Sequence, residues 1–358
     1  MSNQLSNQLS NQLTDQPNTP HRRWMPDRVL FTAAALEEPW GQQIWQRVKA
    51  LDLPIEELPH NRLTGLRGQD ERETYDIAKC TLAVVNAPAS QFQLSPIPPS
   101  ADWQFHLAQG CPAHCQYCYL AGSLPSPPVI RVYANLPQIL ANLSQYEMAD
   151  RPTRFEVSCY TDPLGIEHLT GSLAECIRVF GMRPQGYLRW VSKFDGVDSL
   201  LDLPHQGHTH CRVSVNAAPI ARSMEGGTAS VWARLQALRR LGQAGYPIGL
   251  VIAPIMPVVD WPMHYKQLFD QIEAAIDFDC DLTFELISHR FTPGSKQVLQ
   301  TWYPHSKLEM DETHRTVKRN KFGGIKYVYD KATMDHLRHF FEQQISRRFP
   351  SARMLYWT

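Results

Sequence analysis

The amino-acid sequence predicts an α/β protein built around a partial (β/α)6 TIM-like barrel, with an N-terminal α/β module before it and a C-terminal basic β-hairpin plus helix after it. Three observations predict this fold class. Short apolar strands alternate with helical segments through the middle of the chain, a separate helix and strand precede a proline-rich connector, and a basic tail contains a Gly-Gly turn.

The first 23 residues are predicted to be a disordered, low-complexity tail. The tetrapeptide SNQL occurs three times across residues 2–13, and Asp15 is the only charged side chain among the first 20 residues. A polar repeat of this kind cannot bury enough apolar surface to fold. The folded part of the chain is therefore expected to begin near Trp24.

Residues 24–100 are predicted to form the N-terminal α/β module. Apolar residues recur with helical spacing over residues 40–51, and TLAVVN at residues 81–86 is typical of a short buried strand. SPIPPS at residues 95–100 is a proline-rich connector, which marks the end of the module.

Residues 101–288 are predicted to form the barrel. Its six strand candidates are Gln104–Ala108, Phe155–Ser158, Tyr187–Val191, Cys211–Val215, Ile248–Ala253 and Leu282–Leu286. The helical patterns between them are Leu136–Tyr146, Leu169–Phe180, Val231–Ala244 and Met263–Ile276. Strand–helix repetition indicates parallel βα units, and in such folds the reactive groups follow the C-terminal ends of the strands.

Residues 289–358 form a third, basic segment. It contains 13 Lys or Arg against 6 Asp or Glu, a net charge of +7 in a chain whose formal net charge is zero. The run RTVKRNKFGGIK at residues 315–326 surrounds a Gly-Gly turn and precedes the strand-like Tyr327–Tyr329, which predicts a β-hairpin. The apolar spacing of Met334–Phe349 predicts an amphipathic C-terminal helix.

The overall composition excludes several classes of protein. The 35 Lys and Arg residues balance 35 Asp and Glu residues, which excludes a uniformly basic nucleic-acid binder but not a local basic patch. The sequence has no run of 18 apolar residues and no basic-then-apolar N-terminus, so neither a membrane span nor a secretory signal is expected. Eight cysteines are too few for a disulfide scaffold, and a reducing, cytoplasmic location is expected.

Three of the eight cysteines, Cys111, Cys115 and Cys118, lie within eight positions in the loop after the first predicted barrel strand. Thiolates in this C-x3-C-x2-C spacing suit an iron–sulfur cluster. A four-iron cubane would keep one iron open, because the next cysteine, Cys159, lies 41 residues further on. Two alternatives stay open. One is a zinc site with His106 or His114 as the fourth ligand, and the other is a set of buried free cysteines.

The cysteine spacing resembles that of the radical S-adenosylmethionine superfamily, and further segments make the resemblance closer. From about Val29 to the C-terminus the sequence resembles the spore photoproduct lyase family of that superfamily. The segments that carry the resemblance are HNRLTG at 60–65, ADWQFHLA at 101–108, IRVYANL at 130–136, RFEVSCYTD at 154–162, GIEHLT at 165–170, KLEMD at 307–311 and KYVY at 326–329.

The resemblance implies a DNA repair lyase with two cofactors, a 4Fe–4S cluster and S-adenosylmethionine. In that family the reduced cluster passes one electron to S-adenosylmethionine, and a 5′-deoxyadenosyl radical forms. This radical takes hydrogen from the lesion 5-thyminyl-5,6-dihydrothymine, known as spore photoproduct. The methylene bridge of the lesion then breaks, and a cysteine thiol gives hydrogen to the remaining thymine radical.

The resemblance also assigns roles to residues of this chain. It implies that the three clustered cysteines bind the cluster. The implied catalytic residues are Cys159, as the hydrogen donor, and Tyr117 and Tyr119, which help to return the electron. Tyr117 is also expected near the adenine of the cofactor. The implied cofactor contacts, which end or follow successive predicted strands, are Thr161, Lys193, Ser214 and Asn216.

The basic hairpin is implied to contact damaged DNA. Its positive side chains, which suit contact with phosphates, are Arg315, Lys318, Arg319, Lys321 and Lys326. The family has an Arg-Tyr pair here that wedges into the duplex, and Lys321-Phe322 takes its position in this chain. Lys321, Phe322 and Lys326 are therefore the predicted substrate-binding residues. An aromatic ring still suits a gap in a base stack.

Two other functions are compatible with the sequence. Because Lys321-Phe322 lacks the guanidinium fork and the phenol hydroxyl, a radical enzyme acting on another thymine-derived lesion or a modified nucleotide stays open. The second alternative is a non-catalytic iron–sulfur protein that binds nucleic acid, although pure binding needs neither Cys159 nor the two tyrosines. The implied partner is a reducing protein such as a ferredoxin or flavodoxin, and the chain is expected to be a monomer or weak dimer.

Overall fold

The computed structural model describes residues 23–157, 159–319 and 324–358. Its strands are β1 (Arg28–Thr32), β2 (Ile55–Leu58), β3 (Thr81–Val85), β4 (Ser95–Ile97), β5 (Ala101–Phe105), β6 (Ala108–Gln109), β7 (His114–Cys115), β8 (Ile130–Tyr133), β9 (Thr153–Val157), β10 (Gly186–Ser192), β11 (Thr209–Val215), β12 (Glu225–Gly226), β13 (Ile248–Ile255), β14 (Leu282–Ser288), β15 (Thr316–Arg319), β16 (Ile325–Val328) and β17 (Arg353–Trp357). Its helices are α1 (Ala33–Glu37), α2 (Pro39–Ala50), α3 (Glu71–Lys79), α4 (Leu136–Asn142), α5 (Glu167–Thr170), α6 (Ser172–Gly181), α7 (Ala218–Met224), α8 (Val231–Gln243), α9 (Trp261–Ala275), α10 (Pro293–Trp302) and α11 (Lys331–Arg348).

The largest sheet has eight strands in the order β17-β14-β13-β11-β10-β9-β5-β4. Every neighbouring pair from β5 to β17 is parallel, and β4 pairs with β5 in the antiparallel direction. The end strands β17 and β4 do not pair with each other within the described residues, so the sheet is an open, partial barrel. The predicted fold class is confirmed.

The first barrel strand differs from its prediction. β5 spans Ala101–Phe105 rather than residues 104–108, because this stretch of alternating apolar and polar residues is divided between two sheets. The carboxylate of Asp102 accepts a hydrogen bond from the backbone N–H of Arg154 at 2.8 Å, which holds the earlier start of the strand against β9. Beyond Phe105 the chain leaves the barrel, and β6 pairs with β8 instead. The cysteine loop therefore begins at the junction of the two sheets.

The second sheet has the order β2-β1-β3-β8-β6, in which only β6 is antiparallel to its neighbour. Its strands β6 and β8 come from beyond residue 100, so the predicted N-terminal module and the predicted barrel segment share this sheet. The domain limits at residues 23, 100 and 288 stay predictions.

Two short motifs fix the helices that later contact the site. The side chain of Asp70 accepts from the backbone N–H of Glu73 at 2.8 Å and caps α3. Ser230 caps α8 in the same way, through the N–H of Ala233 at 3.2 Å. Such caps satisfy backbone donors that have no partner inside the helix. The caps fix the residue at which α3 and α8 each begin, and thereby which of their side chains face the barrel.

The basic tail forms the predicted hairpin and helix. β15 and β16 pair in the antiparallel direction, with Lys318 opposite Lys326. Backbone bonds between Phe291 and Tyr327, at 2.8 and 3.2 Å, attach the hairpin to the segment that follows β14. The hairpin is thus attached at the C-terminal edge of the barrel. No helix in the described part of the chain is long and apolar enough to cross a membrane.

Candidate active site

Polar side chains gather at the C-terminal edge of the barrel, where parallel strands end together. Cys159 and Thr161 follow β9, Lys193 follows β10, and Ser214 lies near the end of β11. The cysteine loop, residues 110–120, follows β6 at the side of this edge. The structure therefore brings the cysteine loop and the residues after three successive strands to one region.

The cysteine loop is held at both ends by backbone contacts. The N–H of Gly110 donates to the carbonyl of Tyr160 at 2.9 Å, which joins the loop to the segment that carries Cys159. Gly110 has φ +85°, and a Cβ there would lie 2.6 Å from the carbonyl oxygen of Val129, so this position requires glycine. In the middle of the loop, β7 pairs with β12 and sets Cys115 opposite Glu225.

The three thiols of the loop lie in an apolar environment. Burial raises the pKa of Cys111 and Cys115 to about 12 and that of Cys118 to about 11. Such thiols keep their protons at neutral pH unless a metal replaces them, so metal binding here releases protons. Three thiols on one loop are the donor set expected for an iron–sulfur cluster with one open iron.

The residues present fit such a cluster with a small ligand beside it. The loop supplies three cysteines and no fourth, and the nearby Thr161 hydroxyl is buried without a hydrogen-bond partner among the described residues. A buried hydroxyl without a partner is unfavourable unless a ligand or water satisfies it. No three His, Cys, Asp or Glu side chains in the described part of the chain are placed to hold a single metal ion. A cubane instead binds each thiolate at a separate iron, so its ligands need not converge on one ion.

Lys193 is fixed by a buried carboxylate that the sequence did not single out. Its Nζ donates to Glu225 Oε1 and to Ser214 Oγ, each at 2.9 Å. The other oxygen of Glu225 binds Arg234 of α8 at 2.6 Å, and the Tyr117 hydroxyl also donates to Glu225. Burial raises the pKa of Glu225, but Lys193 and Arg234 lower it more strongly, to about 2. Glu225 is thus an anion that holds one ammonium, one guanidinium and one phenol together.

Glu225→Gln is expected to lower the free energy of unfolding by about 3–5 kcal/mol, because it leaves the buried Arg234 guanidinium without an anionic partner. Glu342→Gln is the control, since it breaks an exposed ion pair with Arg338 and is expected to cost at most about 1 kcal/mol. Chemical denaturation at neutral pH measures both losses. The stabilisation by Glu225 is present above its ordinary pKa of 4.5 and is lost as the pH falls toward 2. The free energies of unfolding of the natural protein and of Glu225→Gln are therefore expected to converge in acid. Equal small losses at neutral pH would contradict this role.

The remaining predicted cofactor contacts differ in how much of their surface is exposed and in the hydrogen bonds they already make. Thr161 and Ser214 each have 7% of their surface exposed and lie at the strand ends. Asn216 has no exposed surface. Its side-chain nitrogen donates to the Pro254 carbonyl at 2.8 Å, and its side-chain oxygen accepts from the Tyr265 hydroxyl at 3.0 Å. These two bonds hold the Asn216 side chain at the end of β11, and its contact with the cofactor stays a prediction.

Asp162 is a second residue that sequence reasoning missed. Its carboxylate accepts from the Ser192 hydroxyl at 2.7 Å and from the backbone N–H of Lys193 at 2.8 Å. These bonds tie the segment after β9 to the end of β10. The available signal was its place directly after Thr161 in the CYTD segment, where it follows a strand like the residues that were chosen.

Cys159 lies half-buried at the end of the β9 segment. Burial raises the pKa of its thiol, and the nearby Glu156 carboxylate adds to this effect. Cys159 therefore stays a neutral S–H group at physiological pH. The hydroxyl of Tyr119 donates to the backbone carbonyl of Cys159, although 61% of Tyr119 is exposed. One of the two predicted tyrosines thus contacts Cys159, and the other contacts Glu225.

A buried ionic network lies inside the barrel and includes Glu156, which affects Cys159. Arg212 binds Glu285 at 2.7 Å and also binds Glu156, and Arg189 binds Glu285. Two arginines and two glutamates balance in charge, which buried ions require. The signal in the sequence was a charged residue within four of the apolar strands, in RFEVS, YLRWV, CRVSV and TFELI.

The hairpin contains one correction. Arg315 was predicted to meet phosphate, but its side chain is buried, binds Glu309 at 2.6 Å and lies 3.8 Å from the ring centroid of Tyr329. Lys318, Arg319 and Lys326 make no ion pair with a carboxylate among the described residues. Burial lowers the pKa of Lys326, and the charges of Arg290 and Lys318 lower it further. Lys321 and Phe322 lie outside the described residues.

Comparison with known proteins gives consistent matches along almost the whole chain. The family model for spore photoproduct lyase matches residues 24–358. The spore photoproduct lyase of Geobacillus sp. (strain Y412MC61) is 41% identical over 341 residues, which cover 94% of this chain and 99% of that protein. The spore photoproduct lyase of Bacillus subtilis (strain 168) is 39% identical over 340 residues, with the same two coverages.

Solved structures match equally well. A mutant spore photoproduct lyase with bound AdoMet and dinucleoside spore photoproduct superimposes with a TM-score of 0.90 at 38% identity, covering 94% of this chain and 100% of the other. A spore photoproduct lyase complexed with dinucleoside spore photoproduct gives the same TM-score, identity and coverage. Similarity of this extent in sequence and in structure identifies a common family. This chain therefore belongs to the spore photoproduct lyase family.

Proposed function

We propose that this chain is a DNA repair lyase that reverts spore photoproduct to two thymines, using a 4Fe–4S cluster and S-adenosylmethionine. The observation that carries the proposal is the position of Cys159, a neutral thiol at the same barrel edge as the three-cysteine loop. Relatives in solved structures bind AdoMet and the dinucleoside spore photoproduct, which supports the same ligands here. The electron comes from a reducing partner such as a ferredoxin or flavodoxin, and the chain acts as a monomer or weak dimer.

Several residues at this edge and in the cysteine loop hold the cofactors. Cys111, Cys115 and Cys118 bind the cluster as thiolates. When bound, the cluster and S-adenosylmethionine supply the 5′-deoxyadenosyl radical that takes hydrogen from the lesion. Lys193 meets the carboxylate of S-adenosylmethionine as a point charge, and the otherwise unpartnered Thr161 hydroxyl and Ser214 bond to its polar groups.

The chemistry of Cys159 depends on its protonation state. A thiol gives a hydrogen atom to a carbon radical, whereas a thiolate has no hydrogen to give. The raised pKa therefore suits donation to the thymine radical that forms when the methylene bridge breaks. Tyr119 bonds to the backbone of Cys159, and Tyr117 lies in the Glu225–Lys193 cluster. These contacts support the proposal that the two tyrosines return the electron.

The hairpin binds the backbone of damaged DNA. Lys318 and Lys326 lie opposite each other on neighbouring strands, and like charges in that arrangement repel. A phosphate between them relieves the repulsion. The hairpin is attached through Phe291 and Tyr327 beside the end of β14, so DNA held there lies near the edge that carries Cys159.

Lys318→Gln and Lys326→Gln are each expected to weaken duplex DNA binding at every sequence tested. Each change is expected to reduce the slope of log affinity against log salt by about 1, because one phosphate contact releases about one counterion. Lys49→Gln, an exposed lysine of α2, is the control. Fluorescence anisotropy at several salt concentrations measures the slopes. An unchanged slope in both hairpin variants would assign DNA binding to another surface.

Anaerobic incubation of the reconstituted protein with S-adenosylmethionine, dithionite and synthetic dinucleoside spore photoproduct tests the function directly. Thymidylyl-thymidine is the expected product. Formation of 5′-deoxyadenosine without repair would favour another thymine-derived lesion or a modified nucleotide. Neither product, together with a bound cluster, would favour a non-catalytic nucleic-acid binding protein.

A further inference from the structure

Helix α3 ends in a buried lysine that has no carboxylate partner in the described part of the chain. Lys79 is the last residue of α3, and only 6% of it is exposed. Among the residues that the structure describes, its ammonium group makes no ion pair with Asp or Glu. A buried lysine is normally paired with an acidic group, because transferring an unpaired charge out of water is unfavourable. The expected anion is therefore one that binds beside Lys79.

Lys79 faces the cysteine loop. Its Nζ donates to the backbone carbonyl of Cys111 and to that of Ala113, the second at 2.5 Å. Burial lowers the pKa of Lys79, and negative charge on Cys111, Cys118 and Cys115 would raise it in that order. The Lys79 ammonium group thus contacts the backbone at the first proposed ligand of the cluster and again two residues further along the loop.

A second residue of α3 contacts the same loop. The hydroxyl of Tyr75, one turn before Lys79, is hydrogen-bonded to Nδ1 of His114 at 2.9 Å. Residues four apart share one face of a helix, so α3 presents both side chains to the loop. The contacts fall at Cys111, Ala113 and His114, from the first cysteine of the loop to the residue before the second. The N-terminal segment therefore supplies both a mechanical support and a positive charge to the cluster loop.

We propose that Lys79 is the counter-ion of the iron–sulfur cluster and raises its reduction potential. This rests on the proposed function, because it requires a cluster on the three cysteines. An oxidised four-iron core carries two positive charges, so three thiolates make the site singly negative, and one added electron makes it doubly negative. A fixed positive charge stabilises the doubly negative form more than the singly negative form. Net charge near a cluster is one of the factors that set its potential.

The test compares Lys79→Gln, which removes the charge and keeps a hydrogen-bond donor, with Lys79→Arg, which keeps the charge. Lys49→Gln removes an exposed lysine of α2 and is the matched control. Iron and sulfide content are measured first, and a dithionite titration followed by electron paramagnetic resonance then gives the potential without S-adenosylmethionine. Lys79→Gln is expected to show a tenfold lower ratio of reduced to oxidised cluster at a given potential. For a one-electron couple this is a shift of about 59 mV to more negative potential.

Lys79→Arg and Lys49→Gln are expected to keep the potential of the natural protein. An unshifted potential in Lys79→Gln would overturn the proposal and leave Lys79 as a residue that only holds the loop. If Lys79→Gln binds less cluster than the natural protein, the iron content of Lys79→Met is compared with it. A charge effect predicts that the glutamine and methionine variants lose cluster equally, while the arginine variant keeps it. Better binding by glutamine than by methionine would overturn it. A natural protein without iron and sulfide would contradict the proposed function itself.

Discussion

Replacing Cys111, Cys115 or Cys118 with alanine is expected to abolish the iron–sulfur cluster and all cleavage of S-adenosylmethionine. The natural protein, prepared without oxygen, is expected to be brown and to contain about four iron and four sulfide per chain. The loop has three cysteines and no spare one, so the loss of any ligand leaves two thiolates. Iron and sulfide assays, the visible spectrum and the yield of 5′-deoxyadenosine measure the effect.

Cys280→Ala is the control for these three variants. Cys280 is a free, half-exposed cysteine that lies outside the loop, so its replacement is expected to leave the cluster and the cleavage unchanged. Stoichiometric zinc without sulfide in the natural protein would contradict the cluster and support the zinc alternative. Full cluster content in any of the three loop variants would remove that cysteine from the set of ligands.

Cys159→Ala is expected to keep the cluster and the cleavage of S-adenosylmethionine while losing most of the clean repair. Cys159 is outside the ligand set, and the first radical forms at the cofactor, so these early steps do not need its thiol. The thymine radical left after bridge cleavage then reacts with other donors or traps. The yield of thymidylyl-thymidine is expected to fall, by-products are expected to appear, and cofactor consumption per repair event is expected to rise. Chromatography with mass spectrometry measures all three.

Cys159→Ser is the matched variant, because it keeps the size and the hydrogen-bonding capacity of the side chain. Its O–H bond is too strong to give hydrogen to a carbon radical, so it is expected to fail in the same way as alanine. Clean repair at normal yield in either variant would return Cys159 to a packing role and require another hydrogen donor.

Much of the fold was predictable from local sequence patterns. Apolar strands such as β10 and β11 lie within one or two residues of their predictions, because each is a short apolar run between turn signals and packs on both faces. β5 was placed wrongly because one stretch of alternating apolar and polar residues, 101–109, contributes to two sheets. Hydrophobic periodicity predicts that a segment is buried, but it does not predict which sheet the segment joins.

The candidate site was predictable where its residues follow strands in order. It was not predictable where its residues act through contacts that are distant in the sequence. Glu225 became visible only when the structure paired it with Lys193 and Arg234, which come from β10's end and α8. Arg315 lies in the basic run but folds back onto Glu309 and Tyr329, since charge density alone does not distinguish a buried arginine from a free one. No sequence motif or spacing pointed to Lys79 as part of the site.

Repair carried out in deuterium oxide tests the central claim most directly, namely that this chain repairs spore photoproduct with Cys159 as the hydrogen donor. Thiol hydrogens exchange with solvent, whereas the hydrogens of the lesion's carbon atoms do not. The natural protein is therefore expected to give thymidylyl-thymidine with one deuterium in the methyl group formed from the methylene bridge, and Cys159→Ala is expected to lose this label. Full repair by the natural protein without deuterium in that methyl group would contradict the claim.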